Sequence, residues 1–122
     1  MNGHVDDRLQ ALIPIQVGES NVNELREIFA WIDTAFNDSL VVAPAMIGEL
    51  GLIQESSAEA ILADGKRVEL ESFGCRIKWF GRTYDTQVLV NDGEYPLLGT
   101  ILLAGHRLEI DYNTGTVSVQ SH

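Results

Sequence analysis

The stretch "FAWIDTAFNDSLVV", residues 29–42, sets an aspartate between two apolar runs. Phe29, Ala30, Trp31 and Ile32 lead straight into Asp33, then Thr34 and Ala35 follow, and a second apolar run ends at Val42. An acid framed in this way is partly shielded from water. A shielded carboxylate costs free energy unless hydrogen bonds, a partner charge or a shared proton compensate. Two readings of Asp33 follow. It is either a turn-forming acid that ends a strand, which Asp-Thr does well, or an acid held in place for chemistry.

Upstream, "ELREIFAWI" (24–32) fits two periods. Leu25, Ile28, Phe29 and Ile32 sit at helical spacing, whereas Leu25, Glu27, Phe29 and Trp31 share one face of a strand. The aromatic and branched residues, with the abrupt stop at Asp33, favour the strand. "ALIPIQV" (11–17) reads as a strand that Pro14 makes an edge or a bulged one, and "GESNVN" (18–23) as a turn. Residues 1–10 are polar and expected to be a flexible segment, loose until paired, ahead of a single domain over 11–122.

Downstream, "SLVVAP" is a second buried strand. "PAMIGELGL" is a short helix over about 44–50, with Pro44 in its first turn and Gly51 at its C-terminal cap. From residue 58 onward the text is a β-meander, with turns at Asp64-Gly65, Phe80-Gly81 and Asp92-Gly93. "VELESFGCRIKW" is long for one strand, so Gly74 suggests a bulge or bend. "TILLAG" is a second short helix capped by Gly105, and "RLEIDYNTGTVSVQ" is a hairpin over 113–115. Trp31 and Trp79 read as core residues. The expected class is mostly β, a closed barrel with one or two short α-helices.

The totals narrow the functions. Eight Lys and Arg against 18 Asp and Glu leave a net charge of −10 over 122 residues. Such a chain repels phosphate backbones, so nucleic acid is not an expected partner. Cys75 is the only cysteine and reads as a small hydrophobe rather than a nucleophile. His4, His106 and His122 are scattered without ligand spacing, so neither metal nor cofactor is expected. The start lacks the apolar core of a secretory signal, and no apolar run approaches ~20 residues. The expectation is a cytoplasmic protein with no membrane span.

Two motifs in order carry a resemblance. "WIDTAFNDSLVVAPAMIGELGL" resembles the catalytic segment of the retropepsin-like (clan AA) aspartic proteases, in which an apolar strand delivers Asp-Thr/Ser-Gly and a second apolar strand follows. "YPLLGTILLAGHRLEID" resembles that family's later signature, two apolar residues and a glycine leading into a helix. "ILADGKRVEL" lies where the family has its flap. The resemblance spans about residues 11–120 and implies an acid-protease-type β-barrel. It also implies a homodimer, since one Asp-Thr-Ala per chain is half of a two-aspartate site. Strand-like runs at both ends, "ALIPIQV" and "GTVSVQ", would then contribute strands to the subunit interface.

On this resemblance Asp33 is the catalytic acid, sharing one proton with its twin. Thr34 places its hydroxyl in the lattice that joins the two loops, and Ala35 stands beside the attacking water. Asn37 and Asp38, the flap-tip pair Asp64 and Gly65, and Leu98 with Gly99 would border a bound peptide. The sequence departs from the pattern at two positions. Ala35 replaces the family glycine, and Ile101 stands where Asp or Asn is common. Three function classes follow: an aspartic endopeptidase acting on extended peptides, a catalytically silent relative that binds peptide, and an unrelated small β-barrel interaction module.

Overall fold

The computed structural model describes residues 1–20, 24–61, 63–90, 93 and 95–121. The turns expected over 18–23 and at Asp92-Gly93, and Leu62 of the flap segment, fall partly or wholly outside them. The described chain is mostly β with two short helices, as expected. Strands β1 (Asn2–Val5), β2 (Ala11–Gly18), β3 (Arg26–Ile32) and β4 (Leu40–Val42) precede helix α1 (Pro44–Leu50). Strands β5 (Ile53–Ile61), β6 (Arg67–Trp79), β7 (Arg82–Val90) and β8 (Leu97–Leu98) lead to helix α2 (Thr100–Leu103), then β9 (His106–Asp111) and β10 (Thr116–Ser121).

Six strands close a barrel in the order β2-β3-β8-β4-β7-β6, with β6 pairing back onto β2. Closure follows from the length of β6. Its first half pairs β5 and its last residues pair β2 on the same edge, while β7 runs along the other. The bulge lies in β5 rather than at Gly74 itself. Glu55 is the extra residue between Gln54↔Phe73 and Ser56↔Ser72, and a side chain at Gly74 would collide with the Glu55 carboxylate. The glycine makes room for its neighbour's bulge.

Alternation builds the core. Ile13, Ile15 and Val17 of β2 point inward, as do Ala30 and Ile32 of β3 and Leu40 and Val42 of β4. Each fully buried aliphatic side chain contributes ~1.5–3 kcal/mol. The segment 26–32 is a strand, but its buried face is Ile28, Ala30 and Ile32, so Trp31 is not a core residue. Trp79 is one, and its Nε1–H donates to the Leu102 carbonyl at 2.9 Å. Pro14 does not make β2 an edge strand. The Trp31 N–H points away from β2 to Pro96 O, 2.8 Å away. Two residues on, the Phe29↔Pro14 pair therefore also faces away from the ladder between β2 and β3. Pro14 sits in the gap between Leu12, the last partner of β1, and Gln16, the first partner of β6. The missing N–H falls where no strand requires it.

Helix α1 has the expected boundaries. Gly51 adopts φ 69° and the Leu52 N–H reaches back to Ile47 O, a left-handed cap that only glycine adopts without strain. The chain ends behave differently from the reading above. The N-terminal segment is paired: β1 lies between β2 and β10. Strand β10 is bonded to β1 on one edge and to β9 on the other, and "ALIPIQV" is a barrel wall. Both runs assigned to a subunit interface are thus spent inside one chain, because the hairpin β9–β10 supplies a partner for β1.

Candidate active site

Strand β8 lies between β3, to which it is parallel, and β4, to which it is antiparallel. Strands β3 and β4 are consecutive in sequence yet do not pair. Two strand spacings, ~10 Å, separate them. The connection 33–39 must therefore cross the end of β8, and this crossing sets Asp33, Thr34 and Ala35 over Leu98 and Gly99.

Hydrogen bonds fix the crossing. The Asp33 N–H donates to Leu98 O (2.9 Å), and the Phe36 N–H to Asp33 O (3.1 Å). On the return, the Gly99 N–H donates to Ser39 O (2.9 Å), Thr100 N–H to Phe36 O (2.8 Å) and Ile101 N–H to Asp38 O (3.2 Å). The last two amides belong to the first turn of α2, which has no partners of its own there, so the loop caps the helix. Gly99 has an extended backbone, and its need is space. A Cβ there would lie 2.6 Å from the ring and from the carbonyl of Phe36, and closer still to Asp38 O.

The Asp33 carboxylate is half-buried, and its Oδ1 accepts the Ala35 N–H at 3.0 Å. This is the turn geometry of the first reading, and it also orients the acid, leaving Oδ2 without a partner among the described residues. Thr34 and Ala35 are exposed. Ala35 is not among the residues with positive φ, so a Cβ is accommodated there without backbone strain. Asn37 accepts the Thr100 hydroxyl at 3.3 Å, and Asp38 Oδ1 accepts the Ser39 N–H at 2.8 Å. Ser39, nearly fully buried, donates its hydroxyl to Gln87 O of β7 at 3.3 Å.

Seven of the expected site residues, Asp33, Thr34, Ala35, Asn37, Asp38, Leu98 and Gly99, thus form one cluster. Asp64 and Gly65 lie apart, at the β5–β6 turn, where Asp64 Oδ1 accepts the Lys66 N–H (3.0 Å) and Gly65 has φ 84°. No hydrogen bond or ion pair among the described residues joins them to the loop. Phe36, Ser39 and Thr100 escaped sequence reading, since their bonds are mostly main-chain and have no residue signature. Trp31 also escaped. It is 38% exposed on the outer face two residues before Asp33, opposite Leu97 of β8.

Elsewhere the chemistry is sparse. Cys75 is fully buried, and that burial pushes its thiol up to about 11. Among the described residues no group of three His, Cys, Asp or Glu side chains could hold a metal, and no helix is long and apolar enough to cross a membrane.

No protein-family profile matches the sequence, and neither does any curated protein. Solved structures do match. A retropepsin-like aspartic protease from Rickettsia conorii superposes with a TM-score of 0.65 at 15% identity, over 99% of this chain and 90% of that one. EIAV protease, solved with the inhibitor HBY-793, superposes with a TM-score of 0.54 at 21% identity, over 77% of this chain and 85% of that one. At such identities the likeness is one of backbone, and it agrees with the closed barrel described above. This chain has the fold of the retropepsin-like aspartic proteases.

Proposed function

We propose that the chain is one half of an aspartic endopeptidase, with its site completed by a second copy. The observation that carries this reading is Asp33. In a retropepsin-like fold it stands at the end of β3, its carboxylate oriented by the Ala35 amide on a loop tied to β8 and α2 through main-chain bonds. Two such carboxylates face to face share one proton, because adjacent like charges do not both ionise easily. The ionised member takes a proton from a bound water as it attacks the peptide carbonyl, and the protonated member donates to the carbonyl oxygen. Thr34, exposed and without a side-chain partner among the described residues, would bond across the two-fold axis.

The substrate is an extended peptide or protein segment. Asn37, Asp38, Leu98 and Gly99 border its path, Trp31 and Leu97 offer an apolar wall beside the acid, and Asp64 and Gly65 form the tip of the covering flap. A dyad that works with one shared proton gives a bell-shaped pH profile with its maximum below neutrality. The test is hydrolysis of an unstructured protein by wild type, Asp33→Asn and Ala35→Gly from about pH 3 to about pH 8. Wild type should cleave and Asp33→Asn should not. Equal cleavage by both would refute the assignment. Cleavage by Ala35→Gly alone would identify the silent, peptide-binding alternative, with the Ala35 methyl occupying the space of the water.

A further inference from the structure

Gln87 joins three elements that the sequence keeps far apart. Its main-chain carbonyl accepts the hydroxyl of Ser39, in the Asp33 loop, at 3.3 Å. Its side-chain Oε1 accepts the hydroxyl of Ser72, in β6, at 3.0 Å, and its Nε2 donates to the Glu55 carboxylate of β5 at 3.1 Å. Ser72 is fully buried and Ser39 nearly so, and water is no ready substitute partner for either hydroxyl. Gln87 pairs with Gly74, and the Glu55 carboxylate lies across that same glycine. A side chain at 74 would displace the carboxylate from its bond to Gln87.

The register shows what this junction holds. Among the described residues the β6–β7 ladder ends at Ser72↔Leu89, whereas the β5–β6 ladder runs on from Ser56↔Ser72 to Ile61↔Arg67. The β5–β6 hairpin therefore leaves the barrel as a two-strand arm, and Ser72 is the rung where the third strand stops. Glu55, the extra residue of the bulge, stands one position before that rung. A bulge bends its strand and increases the local twist, so its conformation sets the direction in which the arm points. Gln87 holds the bulged residue by a hydrogen bond to a charged group, the stronger kind.

We infer that Gln87 is a positioning residue: through Glu55 and Ser72 it fixes the base of the β5–β6 arm, and with it the aim of the Asp64-Gly65 tip, relative to the Asp33 loop. The use of this clamp in peptide binding rests on the reading of the arm as a flap; the clamp itself does not. The link to Ser39 is a main-chain carbonyl that any residue would supply. The specific part is the side-chain amide, which offers an acceptor and a donor at once. A glutamate at 87 would keep the acceptor for Ser72 and lose the donor for Glu55, which separates the two bonds.

The experiment is amide hydrogen exchange on the full chain, comparing arm amides (57–60 and 68–71) with barrel amides of β2 and β3. The proteins are wild type, Gln87→Glu, Glu55→Ala and the reversed pair Gln87→Glu with Glu55→Gln. Gln87→Glu sets two carboxylates together and should speed arm exchange about tenfold while the barrel amides keep their wild-type rates. Glu55→Ala removes the acceptor without adding a like charge and should speed the same amides about threefold. The reversed pair puts the amide donor on β5 and the carboxylate on β7, and should restore wild-type exchange. Unchanged arm exchange in Gln87→Glu, equal loosening of arm and barrel, or no rescue by the reversed pair would each overturn the inference. Where wild type cleaves a peptide, Gln87→Glu should raise KM about tenfold with kcat within about twofold, and the reversed pair should return KM to its starting value. A fall in kcat at unchanged KM would overturn the positioning role. Exchange needs no turnover, so an inert protein with the expected exchange pattern upholds the clamp and sinks the peptidase reading alone.

Discussion

The Asp33 loop and the β5–β6 hairpin both connect strands, and they are held in opposite ways. The loop 33–39 makes main-chain bonds to β8, Gly99 and α2, packs Ser39 almost out of water, and crosses Leu98, which is fully buried. The hairpin is a two-strand ladder whose outer strand, β5, ends the sheet. At its end Ile61 is 70% exposed, and the pairs Lys66–Asp64 (4.0 Å) and Arg67–Glu59 (3.4 Å) lie open to water, where they add little. The loop is cross-linked by backbone hydrogen bonds to buried elements. Past the Glu55 bulge the hairpin adds to its ladder and turn only ion pairs open to water. The difference is one of local stability, and it predicts where opening occurs first.

Three substitutions test that contrast. Leu98→Ala should have the largest effect, about 3 kcal/mol lost by urea unfolding, because the cavity lies under the crossing with no route to collapse. Gly99→Ala should cost slightly less, about 2–3 kcal/mol, since a Cβ meets backbone of Phe36 and Asp38 that cannot move away. In both variants protection of the Asp33 and Thr100 amides from hydrogen exchange should fall with global stability. Gly65→Ala, at the hairpin tip, should cost only about 1 kcal/mol. Its φ of 84° is strained for alanine, but nothing lies within 4 Å of the added Cβ. If Gly65→Ala matched Gly99→Ala, the contrast between the two connections would fail.

Cys75 sharpens the comparison through pH. Its thiol titrates near 11 in the fold against an ordinary 9.0, so the folded state favours the protonated form. The stability this contributes is complete below the ordinary value and is lost as pH rises from about 9 towards 11. Alkaline unfolding should therefore steepen over that window in wild type and flatten in Cys75→Ala. At neutral pH a thiol reagent should label Cys75 no faster than the molecule unfolds globally. The smallest effect belongs to Ala35→Gly, within about 0.5 kcal/mol in stability, because the position is exposed and its φ is not positive. Any change there should appear in peptide turnover.

Much of the molecule was legible as local chemistry. Pro44 and Gly51 bounded α1, and the turns at Asp64-Gly65, Phe80-Gly81 and 113–115 lie where their residues put them. Asp33 stood out as a charged group among apolar neighbours, while Thr34 and Leu98-Gly99 became candidates only through the resemblance to two short family motifs. What escaped depends on pairing. The inward face of β3 is Ala30 and Ile32 rather than the larger Phe29 and Trp31. Periodicity allowed the strand, but only the neighbouring layers chose its side.

The division has one physical cause. Side-chain alternation, proline and glycine act over a few residues, so the sequence by itself determined that strands, turns and one short helix form, and which acid follows an apolar strand. The insertion of β8 between β3 and β4, the bulge at Glu55, the return of β10 onto β1 and the caps given by Phe36 and Asp38 to α2 are mostly main-chain hydrogen bonds across long separations. Backbone amides are alike at every residue, so such bonds leave almost no trace in composition. Tertiary structure alone decided that the loop behind Asp33 is tied down by main-chain bonds, and that the two chain ends pair with each other.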